Sequence, residues 1–371
     1  MIKIGYVYSG ENKYIEQLMK YDLTILLDNE EQVKNVEQFN CNKIMIKYNN
    51  ESYDVVVYTN DKIKQIPSLK TIVVGEYNFE NSKIKCVKEL NIDEIVNEKK
   101  QNNIKFSVVI PNYNNANWIS KGIESILNQT YQNWEMYIID DVSTDNSVEI
   151  VKKYEDSRIK LIENEIKLYN GGSRNVGIMK AKQSNKDGYL LFLDSDDWLA
   201  NNNVLKRLNQ FIDDEDLITL DYQRYEKGKI VKANKCSYKN KDELFMTIGC
   251  MCAVWCKCFK VSVAPLFEFN TLMEDRNYHY RLINKINTYS NFGEITHTWN
   301  KMNVNSITTN QKQKYEGKLQ AKIEWNNCAY RHIAGMLDLL NEITNVKWKQ
   351  FIKKKIIDCE EYIKKGEFYQ L

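Results

Sequence analysis

The sequence is poor in histidine, lacks a marked excess of either charge and contains no long apolar run. Its 371 residues include 3 His, and 52 Lys and Arg stand against 50 Asp and Glu, which gives a formal net charge of +2 at pH 7. So few imidazoles argue against a histidine-rich zinc site. A protein built mainly to bind nucleic acid usually has a large basic excess, and the sequence carries no clear nucleic-acid signature.

Two further absences bear on where the protein works. No apolar run approaches the roughly 20 residues that a bilayer-spanning helix needs. Residues 1–13 become polar too early for a secretory signal. We therefore expect a cytoplasmic protein whose nine cysteines are thiols and not a disulfide framework. Peripheral attachment to the inner face of the membrane stays open as an alternative.

Short β-rich runs alternate with polar or helical stretches in the first hundred residues. This pattern predicts a small α/β domain with a parallel sheet over residues 1–100. The runs are Ile2–Tyr8, Leu23–Leu27, Lys43–Lys47, Asp54–Tyr58 and Thr71–Val74. The segment has neither a G-x-G-x-x-G motif nor a P-loop, so we expect no phosphate cradle there. A docking or structural role is the simpler interpretation.

After a polar stretch at residues 97–103, a plausible linker, strands and helices alternate regularly. The predicted strands are Phe106–Ile110, Trp134–Ile139, Ile159–Ile162 and Tyr189–Leu193, and the predicted helices are Ala116–Asn128 and Val148–Tyr154. We expect the first of these strands to stop at Pro111. The alternation predicts an open α/β sheet, in which ligands bind at the carboxyl ends of the strands.

The end of the chain is helical in pattern, at Ile323–Leu340 and Trp348–Ile363, which predicts a helical extension over residues 311–371. Its last stretch is rich in lysine. A solvated helix face is the simplest interpretation. Contact with an anionic acceptor, a membrane surface or another copy of the chain is the alternative for these C-terminal helices.

The strongest chemical signal is the cluster Asp194-Ser195-Asp196-Asp197, which directly follows an apolar strand. Three carboxylates within four residues repel one another unless a cation lies among them. Oxygen ligands of this kind suit Mg²⁺ or Mn²⁺, which proteins commonly share with substrate phosphates. The sequence therefore predicts a divalent cation at this strand end.

A second acidic pair, Asp140-Asp141, also ends a predicted strand. Ser143, Thr144 or Asp145 could cap the helix that follows. A carboxylate at the strand end could equally accept hydrogen bonds from a nucleobase N–H or a ribose hydroxyl. Both interpretations stay open on the sequence.

Together with these clusters, several other segments form an ordered set. The set comprises Val109–Asn114, Asp140–Asp145, Ser173–Ile178, Asp194–Asp197, Trp255–Phe259, Met273–Asp275 and Asn305–Thr308. In order and spacing it resembles the motifs of family 2 glycosyltransferases, which are inverting, nucleotide-sugar-dependent enzymes. The resemblance implies a GT-A type, Rossmann-like nucleotide-diphospho-sugar transferase domain over residues 104–310. This domain is preceded by the small α/β domain and followed by the helical segment.

The resemblance implies a donor site for a nucleoside-diphosphate sugar, with uracil as the expected base. Asp196 would bind Mn²⁺ or Mg²⁺ directly, and Asp194 would hold the ribose or a metal-bound water. The residues implied in nucleotide-sugar binding are Pro111, Tyr113, Asn114, Asp140, Asp141, Arg174, Asp194, Ser195 and Lys301. Asp141, or else Asp140, would recognise the base, and Arg174 would reach the base or the diphosphate. Lys301 would contact the diphosphate in place of the family's frequent Arg.

On the acceptor side the resemblance implies Asp275, preceded by Glu274, as the general base that deprotonates the attacking hydroxyl. Trp255 and Lys257 would lie on this side. The acceptor could be a glycan, a lipid-linked glycan, a protein or another hydroxyl compound. A helix N-terminus is the structural interpretation of Glu274-Asp275, since acids are favoured there, and both roles can hold together.

Other interpretations are weaker. A nucleotidyltransferase would need a glycine-rich, basic segment for the triphosphate, and none occurs near residues 106–115. A catalytically silent sugar-nucleotide-binding or scaffold protein is disfavoured because Asp196 and Asp275 are both present. The pairs Cys250-x-Cys252 and Cys256-x-Cys258 suggest a metal–thiolate site at first sight. We expect apolar packing instead, because free cysteine packs well as a small apolar group.

Overall fold

The computed structural model describes residues 103–247, 252–268, 274–303 and 319–365, together with six strands nearer the N-terminus. Those strands are β1 (Lys3–Val7), β2 (Asp22–Leu27), β3 (Lys43–Ile46), β4 (Tyr53–Tyr58), β5 (Ser68–Val74) and β6 (Ile84–Val87). They pair in parallel in the order β3-β2-β1-β4-β5-β6. The parallel sheet predicted for residues 1–100 is thus confirmed, with β6 as a strand that the sequence pattern did not predict, and the predicted helical connections lie outside the described residues.

The chain divides into two compact units, and the second contains most of residues 104–371. Its strands are β7 (Phe106–Asn112), β8 (Trp134–Asp140), β9 (Ile159–Glu163), β10 (Tyr189–Phe192), β11 (Trp198–Leu199), β12 (Leu217–Glu226), β13 (Lys229–Asn234), β14 (Lys257–Lys260) and β15 (Tyr289–Asn300). The helices are α1 (Ile119–Leu127), α2 (Ser147–Val151), α3 (Tyr169–Ser184), α4 (Val204–Phe211), α5 (Lys241–Phe245), α6 (Glu274–Lys285), α7 (Leu319–Glu342) and α8 (Val346–Lys365). The domain limits drawn from the sequence stay a prediction.

The second sheet is mixed, in the order β11-β15-β12-β14-β10-β7-β8-β9, and β13 pairs with β12. Strands β10, β7, β8 and β9 are parallel. Their carboxyl ends therefore meet at one edge, where ligands bind in open α/β sheets. Strands β7 and β8 are buried along their whole length, which is why they read as continuous apolar runs in the sequence. The α/β fold class with a helical C-terminal segment is confirmed.

Strand β7 continues through Pro111, contrary to the expectation that it stops there. Strand β10 pairs with β7 only as far as Phe192 opposite Val109. Beyond that point β7 has one neighbour, β8, with Pro111 opposite Ile139. A proline lacks the N–H for one ladder bond, and on the side without a partner strand that loss costs nothing. The strand consequently carries Pro111 to the carboxyl edge of the sheet.

The C-terminal helices pack onto α5 and α6. Trp348 of α8 stacks on Phe245 at 4.0 Å between ring centroids, and Met336 of α7 is fully buried. Several lysines of α8 are exposed, namely Lys347, Lys353, Lys354, Lys364 and Lys365, as a solvated face requires. No helix in the described part of the chain is long and apolar enough to cross a membrane.

Helix α3 packs closely on β7 through Gly177. A Cβ atom at Gly177 would lie 2.8 Å from Val109 Cγ2 and still closer to Cγ1. Overpacking of this kind costs about 1–3 kcal/mol, which outweighs the roughly 1 kcal/mol that alanine gains over glycine in a helix.

We expect Gly177→Ala to lower the free energy of unfolding by about 1–2 kcal/mol, measured from the shift of the urea midpoint at unchanged slope. Gln183→Ala, on an exposed position of the same helix, is the control. Equal midpoints for the two variants would contradict this packing.

Candidate active site

The acidic cluster lies directly after β10, and two of its carboxylates are bound by the end of strand β15 and by the residues that directly follow it. Asp197 is 2% exposed and its Oδ1 accepts the Asn300 backbone N–H at 2.8 Å. Asp196 Oδ2 accepts a hydrogen bond from Asn303 Nδ2 at 2.8 Å. Ser195 Oγ accepts one from Asn115 Nδ2 at 2.8 Å. The cluster is therefore held in place by amide donors before any ligand binds.

The electrostatics of the cluster fit a cation. Burial, and then the charge of Asp194, raise the pKa of Asp196 to about 6. Burial and Asp196 raise the pKa of Asp197 well above its ordinary value. In the described part of the chain no three His, Cys, Asp or Glu side chains form a cluster that could hold a metal ion alone. The donors present are carboxylates, the hard oxygen ligands that Mg²⁺ takes together with waters and substrate phosphates.

Arg174, on α3, joins the cluster to the other acidic pair. Its Nη2 lies 2.7 Å from Asp194 Oδ1, and its Nη1 lies 2.9 Å from Asp275 Oδ1 and 3.3 Å from Glu274 Oε1. The Arg174 side chain is 2% exposed. Burial opposes its charge, but the three carboxylates outweigh burial and hold its pKa above the usual range. The structure thus brings together four residues that the sequence motifs carry separately.

Glu274 and Asp275 form the N-terminus of α6, so the structural interpretation of this pair holds. Burial, and then the charge of Asp275, raise the pKa of Glu274 to about 7. Burial also raises the pKa of Asp275, while the charge of Arg174 lowers it. A carboxylate with a raised pKa beside a cleft is suited to proton transfer.

Asp141 has a structural partner for each oxygen. Its Oδ1 accepts the Leu168 N–H at 2.7 Å and its Oδ2 accepts the Tyr169 N–H at 2.8 Å. Lys167 Nζ lies 3.3 Å from Oδ2. Asp141 therefore caps α3. The helix that directly follows the pair, α2, has Asn146 at its N-cap position, and Asp145 Oδ1 accepts the N–H of its first residue, Ser147, at 3.0 Å.

Asp140 is also engaged within the protein. Its Oδ1 accepts hydrogen bonds from Asn112 Nδ2 at 2.8 Å and from Ser143 Oγ at 2.6 Å, and its Oδ2 accepts the Ser143 N–H at 2.9 Å. Asn114 Oδ1 accepts the Thr144 N–H at 2.7 Å. These bonds join the ends of β7 and β8 into one rigid edge.

The rim of this edge is exposed and strained. Tyr113 is 47% exposed, and Lys167 Nζ lies 2.6 Å from the centroid of its ring. Three residues of this rim that are not glycine have positive φ angles, namely Asn114 at 49°, Val142 at 62° and Tyr169 at 60°. Such strain persists where the surroundings impose it, and it concentrates at functional sites.

The acceptor-side residues lie deeper than the sequence suggested. Trp255 is 6% exposed and packs on Tyr222 at 4.8 Å between ring centroids. Lys257 is 1% exposed and its Nζ donates to the Ala253 carbonyl at 2.8 Å. Lys301 Nζ lies 3.7 Å from the centroid of the Trp299 ring. Cys252, Cys256 and Cys258 are buried, as packing requires, whereas Cys250, Met273 and the segment 305–308 lie outside the described residues.

The structure adds three residues that sequence reasoning missed. Asn303 binds Asp196, Lys167 lies over Tyr113, and the Val254 N–H lies 3.5 Å from Asp275 Oδ2. Asn303 follows Lys301 by two positions, which is the only signal that could have pointed to it. Lys167 and Val254 stand outside every motif, and only the fold brings them to the site.

Because Asp141 caps α3, its substitution has a consequence without any ligand. Asp141→Asn puts an NH₂ group opposite a backbone N–H, so at least one cap bond is lost. We expect the free energy of unfolding to fall by about 1–2 kcal/mol, measured by urea denaturation of the ligand-free protein. Glu165→Gln, at an exposed position in the preceding loop, is the control. A carboxylate that served only a ligand would leave the ligand-free protein unchanged.

Known proteins match a part of the chain that includes the acidic cluster and Arg174, and the family match ends before Glu274 and Asp275. The family model described as "Glycosyl transferase family 2" matches residues 107–261. The chain is 36% identical over 156 residues to the Escherichia coli UDP-Glc:alpha-D-GlcNAc-diphosphoundecaprenol beta-1,3-glucosyltransferase WfgD, covering 40% of this chain and 58% of that protein. It is 42% identical over 105 residues to an uncharacterized glycosyltransferase of Haemophilus influenzae, covering 28% of this chain and 40% of that protein. The matches thus span about half the length of these relatives.

Among solved structures, S. aureus TarS 1–349 in complex with UDP-GlcNAc is similar with a TM-score of 0.49 and 18% identity, over 72% of this chain and 89% of that chain. A likeness of that extent assigns no role to any residue here. The family model covers β7 to β14, with the acidic cluster and Arg174 inside it. This part of the chain belongs to family 2 of the glycosyltransferases.

Proposed function

We propose that the protein is an inverting glycosyltransferase that moves a sugar from a UDP-sugar to an acceptor hydroxyl. The observation that carries the proposal is the meeting of Asp194, Arg174 and Asp275 at the edge of the sheet. It joins a cation-suited acidic cluster to a carboxylate fit to act as a base. A relative that is 36% identical over 156 residues is named as a UDP-Glc-dependent glucosyltransferase, which supports a uracil nucleotide as the donor.

In this proposal the donor lies along the carboxyl edge of β7, β8 and β10. Tyr113 lies at the rim for the base, next to Pro111 and Asn114. The N–H groups that Asp141 binds at the start of α3 keep this edge in shape. Asp140 and Ser195 support the backbone around it, and Lys301 contributes positive charge on the far side of the acidic cluster.

Asp196 and Asp194 would hold the cation, and their oxygens fit Mn²⁺ or Mg²⁺. A bound cation of this kind would supply positive charge to the departing diphosphate. Burial and the charge of Asp194 raise the pKa of Asp196 and so disfavour its ionised form. A neighbouring cation would favour the ionised carboxylate, which supports the assignment of a cation to this position.

On the opposite side Asp275 accepts the proton of the acceptor hydroxyl, while that oxygen attacks the anomeric carbon in line. Its Oδ1 is bound to Arg174 and its Oδ2 has only the long contact with the Val254 N–H. Oδ2 is therefore the atom that takes the proton. Glu274 and the buried Trp255 and Lys257 shape the wall around it. Attack from the face opposite the leaving diphosphate inverts the anomeric configuration.

We further propose a lipid-linked glycan as acceptor, handled at the inner face of the membrane. The name of the E. coli relative specifies such an acceptor. The exposed lysines of α8, among them Lys353, Lys354 and Lys364, could approach an anionic lipid surface from the cytoplasm.

The donor and cation assignments are tested together. With Mn²⁺ and a panel of nucleotide sugars, we expect UDP release from a UDP-sugar and loss of that release in excess EDTA. Asp196→Ala is expected to lower the rate by at least about 100-fold, because a cation that neutralises a leaving diphosphate is worth several kcal/mol. Asp187→Ala, at an exposed position outside the site, is the control. Full turnover in EDTA would overturn the cation assignment, and no turnover of any donor would favour a silent sugar-nucleotide-binding protein.

The role of Asp275 as the general base is tested by substitution and by pH. Asp275→Asn is expected to lower kcat by about 10²- to 10⁴-fold, the usual contribution of a general base, without changing the affinity for UDP. Only the ionised carboxylate accepts a proton, so activity is lost as pH falls through the pKa of Asp275. Burial has raised this pKa from 3.8, with Arg174, Lys257, Glu274 and Asp194 as the neighbouring charges. The acid limb of kcat/KM should therefore lie above the range of an ordinary aspartate. An unchanged kcat in the variant would refute the assignment.

A further inference from the structure

Arg174 stands where a basic residue of a nucleotide-sugar enzyme would be expected to meet the donor, yet its side chain is enclosed. It is 2% exposed, and Nη1 and Nη2 are both bound to carboxylates. Its Nε is buried without a hydrogen-bond partner among the described residues. Two aromatic rings, those of Phe267 and Phe192, lie 5.4 Å and 5.9 Å from its guanidinium carbon. The guanidinium is therefore an internal group, with its faces and its terminal nitrogens already engaged.

Three separate parts of the chain meet at this guanidinium. Arg174 comes from α3, Asp194 from the end of β10 and Asp275 from the start of α6. The residue pairs lie 20 and 101 positions apart in sequence. A planar fork holds two carboxylates in fixed directions, which a point charge on a flexible stem does not. The distance between the two carboxylates is thus set by the width of one side chain.

The surrounding packing is built to keep α3 close to this junction. Asn175 Nδ2 donates to the Phe267 carbonyl at 2.9 Å, and the Phe267 N–H donates to Asn175 Oδ1 at 2.7 Å. The Phe267 ring stacks on Tyr278 of α6 at 3.9 Å. A Cβ at Gly171 would lie 3.1 Å from the Glu268 carbonyl oxygen and 3.6 Å from Glu274 Cγ. The close approach of α3 to the segment before α6 therefore depends on a glycine.

We infer that Arg174 is a positioning residue, which fixes Asp275 in the direction of the acceptor and at a set distance from Asp194 on the donor side. The inference rests on the proposed function. Arg174 binds Oδ1 of Asp275, and this leaves Oδ2, with its long contact to the Val254 N–H, as the oxygen that accepts the hydroxyl proton. Arg174 orients Asp275, the general base, and makes no contact with the nucleotide.

The test compares Arg174→Lys, Asp275→Asn and the double variant. A lysine keeps the positive charge among three carboxylates, so the variant is expected to fold, but it loses the fork. We expect kcat to fall by about 10²-fold, as for a catalytic group that is misplaced by about 1 Å, whereas the Kd for UDP with Mn²⁺ changes less than about threefold. The double variant should be no slower than Asp275→Asn alone, because an absent base cannot be misplaced. The acid limb of the pH profile should move to higher pH, since Asp275 loses the Arg174 Nη1 hydrogen bond that favours its ionised form.

Arg158→Lys is the matched control. Arg158 also pairs with a carboxylate, Asp156 at 2.6 Å, and lies beside Trp134 at the opposite end of β8. Its variant should keep the wild-type kcat and Kd. A loss of UDP affinity in Arg174→Lys as large as the loss of rate would overturn the inference and make Arg174 a donor ligand. Independent, additive losses in the double variant would overturn it as well.

A crystal structure of Arg174→Lys separates this inference from the proposed function. We expect the Asp275 carboxylate to leave its wild-type direction, an outcome that does not require any turnover. An unmoved carboxylate would overturn the positioning role even in an active enzyme. An absence of turnover in the wild type, with the carboxylate displaced in the variant, would instead refute the proposed function alone.

Discussion

The buried positive charge of Arg174 is the constraint on which the site depends. Three carboxylates lie around one guanidinium, and removing either partner of a buried pair leaves an uncompensated charge that costs about 3–5 kcal/mol. Arg174 must therefore stay close to these carboxylates. The Phe267 ring beside its guanidinium and the close contact at Gly171 keep α3 in position. The end of β10 and the start of α6 are therefore held together by electrostatics as well as by packing.

The sequence predicted the sheet well where strands are buried on both faces. Strands β7, β8 and β10 were expected within two residues of their observed ends, because continuous apolar runs mark such strands. The partly exposed β9 was also expected within one residue of its ends. Pro111 was misjudged because the cost of a proline depends on whether a neighbouring strand needs its N–H, which no local pattern reveals. The helices of the C-terminal segment were longer than predicted by two to four residues at each end, where helix limits are least defined.

The site was predictable as a set of residues but not as a set of contacts. Acidic residues that follow apolar strands were expected to meet at one edge, and Asp194 and Asp196 do follow β10 there. The bond between Arg174 and Asp275 joins residues 101 positions apart, and motif spacing carries no information on it. The burial of Lys257 was equally hidden, because a lysine in a motif suggests a ligand until the fold shows a carbonyl beside it.

Asp141 illustrates how one side chain can limit what evolution may change. Its carboxylate holds the first turn of α3, and Arg174 lies five residues further along the same helix, about 7.5 Å at 1.5 Å per residue. Replacing Asp141 would therefore also disturb the placement of Arg174. New donor preferences would therefore arise more readily at exposed rim positions such as Tyr113 and Val142, which the cap bonds of Asp141 do not involve. The cap thus separates a mechanically constrained helix start from an exposed rim.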